Sequence, residues 1–171
     1  MIGEIILNII RFVFLLLLQG LVLNNINLGP YFQPYIYILF IIALPFETPL
    51  WLLIPLGFVY GLFMDSFTNT LGLHTSACVF LAWVRPRILR LYSPREGYDF
   101  NMQPHLQSLG FTWFAYYAGT MILLHHTVFF FLEAFRFDGF FHTLLRIVAS
   151  GALSLLVMTI AQLLNFRATN R

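Results

Sequence analysis

Six apolar runs, at residues 5–23, 31–44, 50–64, 71–89, 111–132 and 140–164, take up most of this chain. A helix of about 20 such residues crosses the hydrocarbon core of a bilayer. Inside lipid every backbone N–H and C=O must find a partner within the protein, and a helix supplies it for each run. Composition agrees, since 60% of the 171 residues are hydrophobic and 9% are charged, against roughly 25% charged in soluble domains. The chain therefore reads as an all-α integral membrane protein, a single domain over residues 1–171 folded as a compact bundle of six transmembrane helices. The second and third runs are short and bracketed by Pro30, Pro34, Pro45 and Pro49, with Pro55 inside the third. Proline ends or kinks a helix, so these two runs are expected to form a tight hairpin. A five-span arrangement, with the hairpin drawn out as one long helix, is the alternative. The first run leads into "LVLNNINLGPYF" without a small-x-small cleavage site, so it is expected to be a retained helix rather than a signal peptide.

The longest polar stretch, residues 85–109, carries Arg85, Arg87, Arg90 and Arg95. Arginines in short loops are kept on the cytoplasmic side, which places this loop inside. Six spans then bring both termini to the cytoplasm, with Arg11 in the inner half of helix one, and leave only Arg136 in an outer loop. Arg167 and Arg171 near the C-terminus suit that side. Five spans would move the N-terminus outside. Trp51, Trp83, Trp113, Tyr31, Tyr35, Tyr37, Tyr92 and Tyr98 fall near span ends and read as interfacial anchors. The net charge of +2, from nine arginines and seven acids, is too small and scattered for a nucleic-acid surface.

Catalytic and metal-binding patterns are sparse. His74, His105, His125, His126 and His142 contain no H-E-x-x-H and no Cys/His pair at zinc spacing. His125 and His126 are adjacent, so on a helix they point about 100° apart. Histidines of this kind read as hydrogen-bonded polar anchors. Ser66, Ser76, Ser150 and Ser154 lack a G-x-S-x-G context. Glu47 and Glu133 sit at span ends and read as solvated acids at headgroup level. Cys78 has no second cysteine to pair with and reads as a small buried residue. No catalytic residue, metal site or cofactor is expected.

Charges within spans are more informative, because they cost at least about 2.5–3.5 kcal/mol to insert and face a partner or a cavity. Of the charges within or bordering the runs, and with Glu133 read as solvated, Arg146 and Asp65 are the two at the outer end. Asp65 is followed by "SFTNT", a turn-forming run, so its carboxylate is expected to accept backbone N–H groups there and tie helix three to helix four. Arg146, about two turns into helix six from the same side, is within snorkelling distance of Asp65; the structural role of Asp65 is expected with or without that pairing, and a proton-relay or ligand role is the alternative. Small residues permit close helix approach where the apolar effect cannot drive association. The "GFVYG" of Gly57 and Gly61 is such a pattern, read as internal packing, with contact to another protein as the alternative.

Residues 43–86, "ALPFETPLWLLIPLGFVYGLFMDSFTNTLGLHTSACVFLAWVRP", resemble the core of the MreD family, small membrane subunits of the bacterial rod-shape or elongation machinery. The pattern is Leu44-Pro45, Gly57-Phe58, Gly61, Asp65 and Leu71-Gly72, followed by an arginine-bearing loop. The resemblance implies a non-enzymatic scaffold of the inner membrane. It would bind an MreC-like bitopic coiled-coil protein and link cytoplasmic MreB filaments to the peptidoglycan synthase. It also implies a fold similar to the substrate-binding components of energy-coupling-factor transporters. That kinship supplies the rival reading, a vitamin-type carrier subunit. Such a subunit would need an outward polar pocket and a small-residue docking face on helix one, and "IILNIIRFVFLLLLQGLVL" is bulky throughout.

Phenylalanine clusters in "VFFFLEAFRFDGFFHT", residues 128–143. Lipid contact explains such a cluster. As the alternative, Phe130, Phe137 and Phe141 form a ridge that receives the partner's single helix, since aromatic residues are enriched in interface cores. The topology is directly testable. In a chain with Cys78 replaced, single cysteines at Asn25, Ser93 and Thr169 are exposed to an impermeant thiol reagent on intact cells. Only Asn25→Cys is expected to react, and labelling of Ser93→Cys would reverse the orientation.

Overall fold

The computed structural model describes residues 2–98, 103–135 and 139–169, and its regular elements are all helical among them. Helix α1 spans Ile2–Leu17 and continues through a π-helical turn, Leu18–Val22, and a 3-10 turn, Leu23–Asn25. A 3-10 turn at Ile36–Ile38 leads into α2, Leu39–Ile42. Four long helices follow: α3 (Leu50–Thr68), α4 (Leu73–Leu91), α5 (Leu106–Ala134) and α6 (Phe140–Thr169). Ile5–Asn25, Leu50–Thr68, Leu106–Ala134 and Phe140–Leu164 are long and apolar enough to cross a membrane, which makes this a multi-pass membrane protein. The 19 residues of α4 are as many as those of α3, but they include Arg85, Arg87 and Arg90.

The second apolar run departs from expectation. Residues 31–44 were expected to form a helix, yet they are extended to Tyr35 and helical only from Ile36 to Ile42. Pro30 and Pro34 account for this, since each lacks an N–H and disfavours helical backbone in the residue before it. The five-span alternative also fails, because the chain turns at residues 45–49, where Thr48 N–H donates to Pro45 O at 3.1 Å. The segment still crosses the bundle. Tyr31 contacts His142, in the first turn of α6, whereas Ala43 and Leu44 meet Arg11 of α1 and Arg85 near the end of α4. Five extended residues and nine tightly turned ones span roughly 30 Å, the thickness of the hydrocarbon core.

Unwound backbone is tolerated at membrane depth only where protein covers it and satisfies it. Every residue from Pro34 to Leu44 is buried. Gln19, turned inward by the π-helical turn, accepts from Ile36 N–H at 2.8 Å and donates to Pro34 O at 3.0 Å. Ser150 Oγ accepts from Gln33 N–H at 3.1 Å and donates to Tyr31 O at 2.9 Å. Ser154 Oγ accepts from Tyr35 N–H at 2.9 Å. At the other end Tyr117 Oη donates to Ile42 O at 3.1 Å, Arg11 to Ala43 O at 3.1 Å, and Arg85 to Leu44 O. Tyr35 and Tyr37, expected at the interface, are instead 5% and 0% exposed, because the segment that carries them runs through the core.

The long helices pair as neighbours, α3 with α4 and α5 with α6. Gln107 near the start of α5 donates to the carbonyl of Gln162 near the end of α6 at 3.5 Å, so this pair is antiparallel. At the start of α5 the backbone leaves the helix at Gly110, with φ 81° and ψ 166°, and runs unbroken from Phe111. Because α4 continues to Leu91, the polar loop expected over residues 85–109 shortens to 92–105. Arg85 is fully buried on α4, and Arg87 lies 4.0 Å over the Trp83 ring.

Gln19 gives the fold its test. Gln19→Leu leaves the Ile36 N–H and Pro34 C=O without partners and is expected to lower stability in detergent by about 1–3 kcal/mol. Gln19→Glu, which in its protonated form keeps an acceptor for Ile36 N–H and a donor for Pro34 O, is expected to lose less. A calibrated unfolding titration distinguishes the two.

Candidate functional site

The residues of the family-like pattern meet along the seam between α3 and α4. Gly57 and Gly61 lie one turn apart on α3, where α4 passes close. A Cβ at Gly57 would stand 2.9 Å from the Cys78 carbonyl oxygen, and one at Gly61 would stand 2.4 Å from Thr75 Cα. Both neighbours are backbone and cannot step aside, so the contact requires glycine. Gly72 starts α4 with φ 79°, a left-handed conformation that suits a residue without Cβ. Pro45 O accepts from Thr48 N–H and Thr48 Oγ1, and from Arg85 at 3.4 Å, which ties the start of the seam to α4.

Asp65 closes the far end of the seam. Its Oδ1 accepts from Thr70 Oγ1 at 2.5 Å and His74 N–H at 3.0 Å, and its Oδ2 from Thr75 N–H at 3.0 Å and Thr75 Oγ1 at 2.6 Å. His74 and Thr75 are in the first turn of α4, where N–H groups have no partner within the helix. Gly72 makes no side-chain cap, so α4 is capped by a carboxylate from α3. The partial positive charge of a helix N-terminus adds to that bond. The turn itself is fixed by Asn69, left-handed at φ 53°, and by Thr70 N–H donating to the Asp65 carbonyl at 3.1 Å.

The pairing of Arg146 with Asp65 is not formed. Arg146 donates to Glu133 at 2.5 Å and to Gln33 Oε1 at 2.7 Å, and lies 4.5 Å over the ring of Phe130. Glu133 ends α5 beside the start of α6 and is nearer along the chain, while all four close contacts of Asp65 are within the α3–α4 turn. Phe130, placed on the proposed partner ridge, is 1% exposed and belongs to the core. Phe141 is 81% exposed and Phe135, not singled out, is 88% exposed. Phe137 lies outside the described residues.

A second polar group sits at the centre of the bundle. Tyr37 Oη lies 2.8 Å from His74 Nδ1 and 2.7 Å from His125 Nε2, all three buried. One phenolic proton serves two imidazoles, so Tyr37 donates to one and accepts from the other. His126 Nδ1 lies 2.8 Å from Ile122 O and its Nε2 3.3 Å from Ser154 Oγ. These histidines are core residues, not interfacial anchors. A signal was present: they fall within predicted spans, as do Gln19, Ser150 and Ser154, and polar side chains at that depth need one another. No three His, Cys, Asp or Glu side chains among the described residues are arranged to hold a metal ion.

A cleft of about 340 Å³ opens above this cluster, its polar lining including Asn24, Gln33, Thr70, His74 and Glu133. Comparison of the chain with protein-family models, curated proteins and solved structures returned no match.

The capping arrangement predicts an ordered series. Asp65→Asn keeps an acceptor and is expected to retain more folded protein than Asp65→Leu, which strips the first turn of α4 and two hydroxyls of partners at about 2–4 kcal/mol. The ion pair predicts a separate rescue. Glu133→Arg with Arg146→Glu is expected to recover yield that either single change loses, while Asp65→Arg with Arg146→Asp recovers none.

Proposed function

We propose that this chain is the MreD-type scaffold of a bacterial elongation complex. In this reading it binds an MreC-like bitopic protein in the inner membrane and links cytoplasmic MreB filaments to the peptidoglycan synthase. It is non-enzymatic, and both termini face the cytoplasm. The observation that supports it is the convergence of the family-like residues on one device. Pro45, Gly57, Gly61, Asp65 and Gly72 all serve the α3–α4 seam. A scaffold needs surfaces held at fixed angles, and a hairpin interlocked through backbone contacts and a carboxylate cap provides that. Asp65 meets four donors within the hairpin, which favours a structural charge over a reactive one.

The partner surface in this proposal is the exposed aromatic rim between α5 and α6, now Phe135, Phe140 and Phe141. Aromatic side chains bury large areas at little conformational cost and dominate interface energetics. Glu133 and Arg146 beside them offer a polar contact at the membrane edge.

One observation favours a second reading, a small-molecule carrier subunit: the polar cleft above His74 opens at the end that the arginine distribution places outside. The bulky face of α1, with Ile6, Ile10, Phe14 and Leu17 exposed, weighs against the docking such a subunit needs.

Co-expression with the single-span coiled-coil protein of the same genome separates the two. A stable complex is expected after detergent extraction. Phe135→Ala with Phe141→Ala is expected to lower its recovery several-fold at unchanged expression of this chain. Recovery of a transport ATPase in place of the bitopic protein would overturn the scaffold reading.

A further inference from the structure

A second cleft, of about 540 Å³, lies between α1 and the paired ends of α5 and α6. Its mouth is apolar, with Leu7, Ile10 and Phe14 each half or more exposed toward lipid. Its floor is polar, built from Arg11, His105 and Gln162. A guanidinium in a membrane span is expensive unless it is paired. Arg11 contacts Asn8 Oδ1 at 3.3 Å, Ala43 O at 3.1 Å and His105 Nε2 at 3.3 Å, all neutral groups. No carboxylate among the described residues pairs with it.

His105 does not complete the site. Burial, and then the charge of Arg11, lower its pKa to about 4, so the ring is neutral at pH 7 and has one N–H and one lone pair. Nε2 lies 2.8 Å from Gln103 Oε1, and Nδ1 lies 3.5 Å from the Gln162 side-chain nitrogen. The tautomer that serves both donates from Nε2 and accepts at Nδ1. Arg11 Nη2 then faces an N–H instead of a lone pair, so of the five guanidinium donors only the two on Nη1 meet acceptors. Gln162, 5% exposed, keeps its Oε1 buried without a donor. The cleft thus combines a cation with a spare donor, a buried acceptor awaiting a hydroxyl, and an apolar mouth.

We propose that this cleft holds an anionic phospholipid whose headgroup carries a hydroxyl, of the phosphatidylglycerol class, entering sideways from the bilayer. Its phosphate meets Arg11, its headgroup hydroxyl meets Gln162, and an acyl chain lies along Leu7, Ile10 and Phe14. Basic pockets between transmembrane helices recognise anionic headgroups in this way. A choline headgroup has no hydroxyl to donate and places a second cation beside Arg11. This inference does not depend on the protein partner proposed above.

The test uses the full-length chain reconstituted in mixed phosphatidylglycerol and phosphatidylcholine, extracted in mild detergent, with retained lipid quantified by mass spectrometry. Wild type is expected to retain phosphatidylglycerol about tenfold over phosphatidylcholine, and Arg11→Gln to lose that preference. Ala161→Phe fills the cleft without removing charge and is expected to do the same, which keeps the test decisive if Arg11→Gln fails to fold. Arg87→Gln, outside the cleft, is expected to match wild type. Equal retention of both lipids by wild type would overturn the proposal, as would wild-type retention by Ala161→Phe. Displacement of the lipid by excess inorganic phosphate alone would show an anion site and not a lipid site.

Discussion

The constraint on which the structure depends is the backbone of residues 31–44. Two prolines prevent this stretch from forming a full helix, so its free N–H and C=O groups cannot be satisfied within the segment. Leaving such groups unpaired in hydrocarbon costs several kcal/mol each. The bundle answers with side chains. Arg11 and Gln19 come from α1, Arg85 from α4, Tyr117 from α5, and Ser150 and Ser154 from α6. Four helices are thereby fixed around a central strand of chain, and much of the polarity of the interior has its explanation there.

Among the described residues, α3 contributes no hydrogen bond to that segment. Its place is set instead through α4, by glycine contacts along the seam and by the Asp65 cap at its end. The two devices share α4, which meets the central segment through Arg85 at one end and α3 through its first turn at the other. Each is held by its own bonds, and through α4 the surfaces carried by α3 and by the α5–α6 rim hold a fixed relation. That rigidity is what a membrane scaffold requires, and it links the seam to the proposed role.

Much of this was legible in the chain. The multi-pass helical class followed from run length and composition, and the ties of Asp65 to the turn and to α4 followed from the cost of a lone acid beside a turn-forming run. The route of residues 31–44 was not legible. Their hydropathy is that of a span, and only Pro30 and Pro34 pointed to an unwound half. Arg146 was misassigned for a related reason: distance along a helix locates a residue in depth, but not around the bundle axis, where Glu133 proved the neighbour. The Tyr37–His74–His125 cluster was missed because each histidine was weighed alone. A buried imidazole looks like an anchor until three spans are superposed at one depth.

The central claim, that an unwound crossing is held by side chains of the surrounding helices, is tested most directly by amide hydrogen exchange in nanodiscs on wild type and Ser154→Ala. The account predicts that peptides covering residues 31–44 exchange as slowly in wild type as those of α3. It predicts that Ser154→Ala accelerates exchange in that stretch while peptides of the α3–α4 seam are unchanged. Exchange across residues 31–44 that is insensitive to Ser154→Ala would contradict it, since the Tyr35 amide would then have its partner elsewhere.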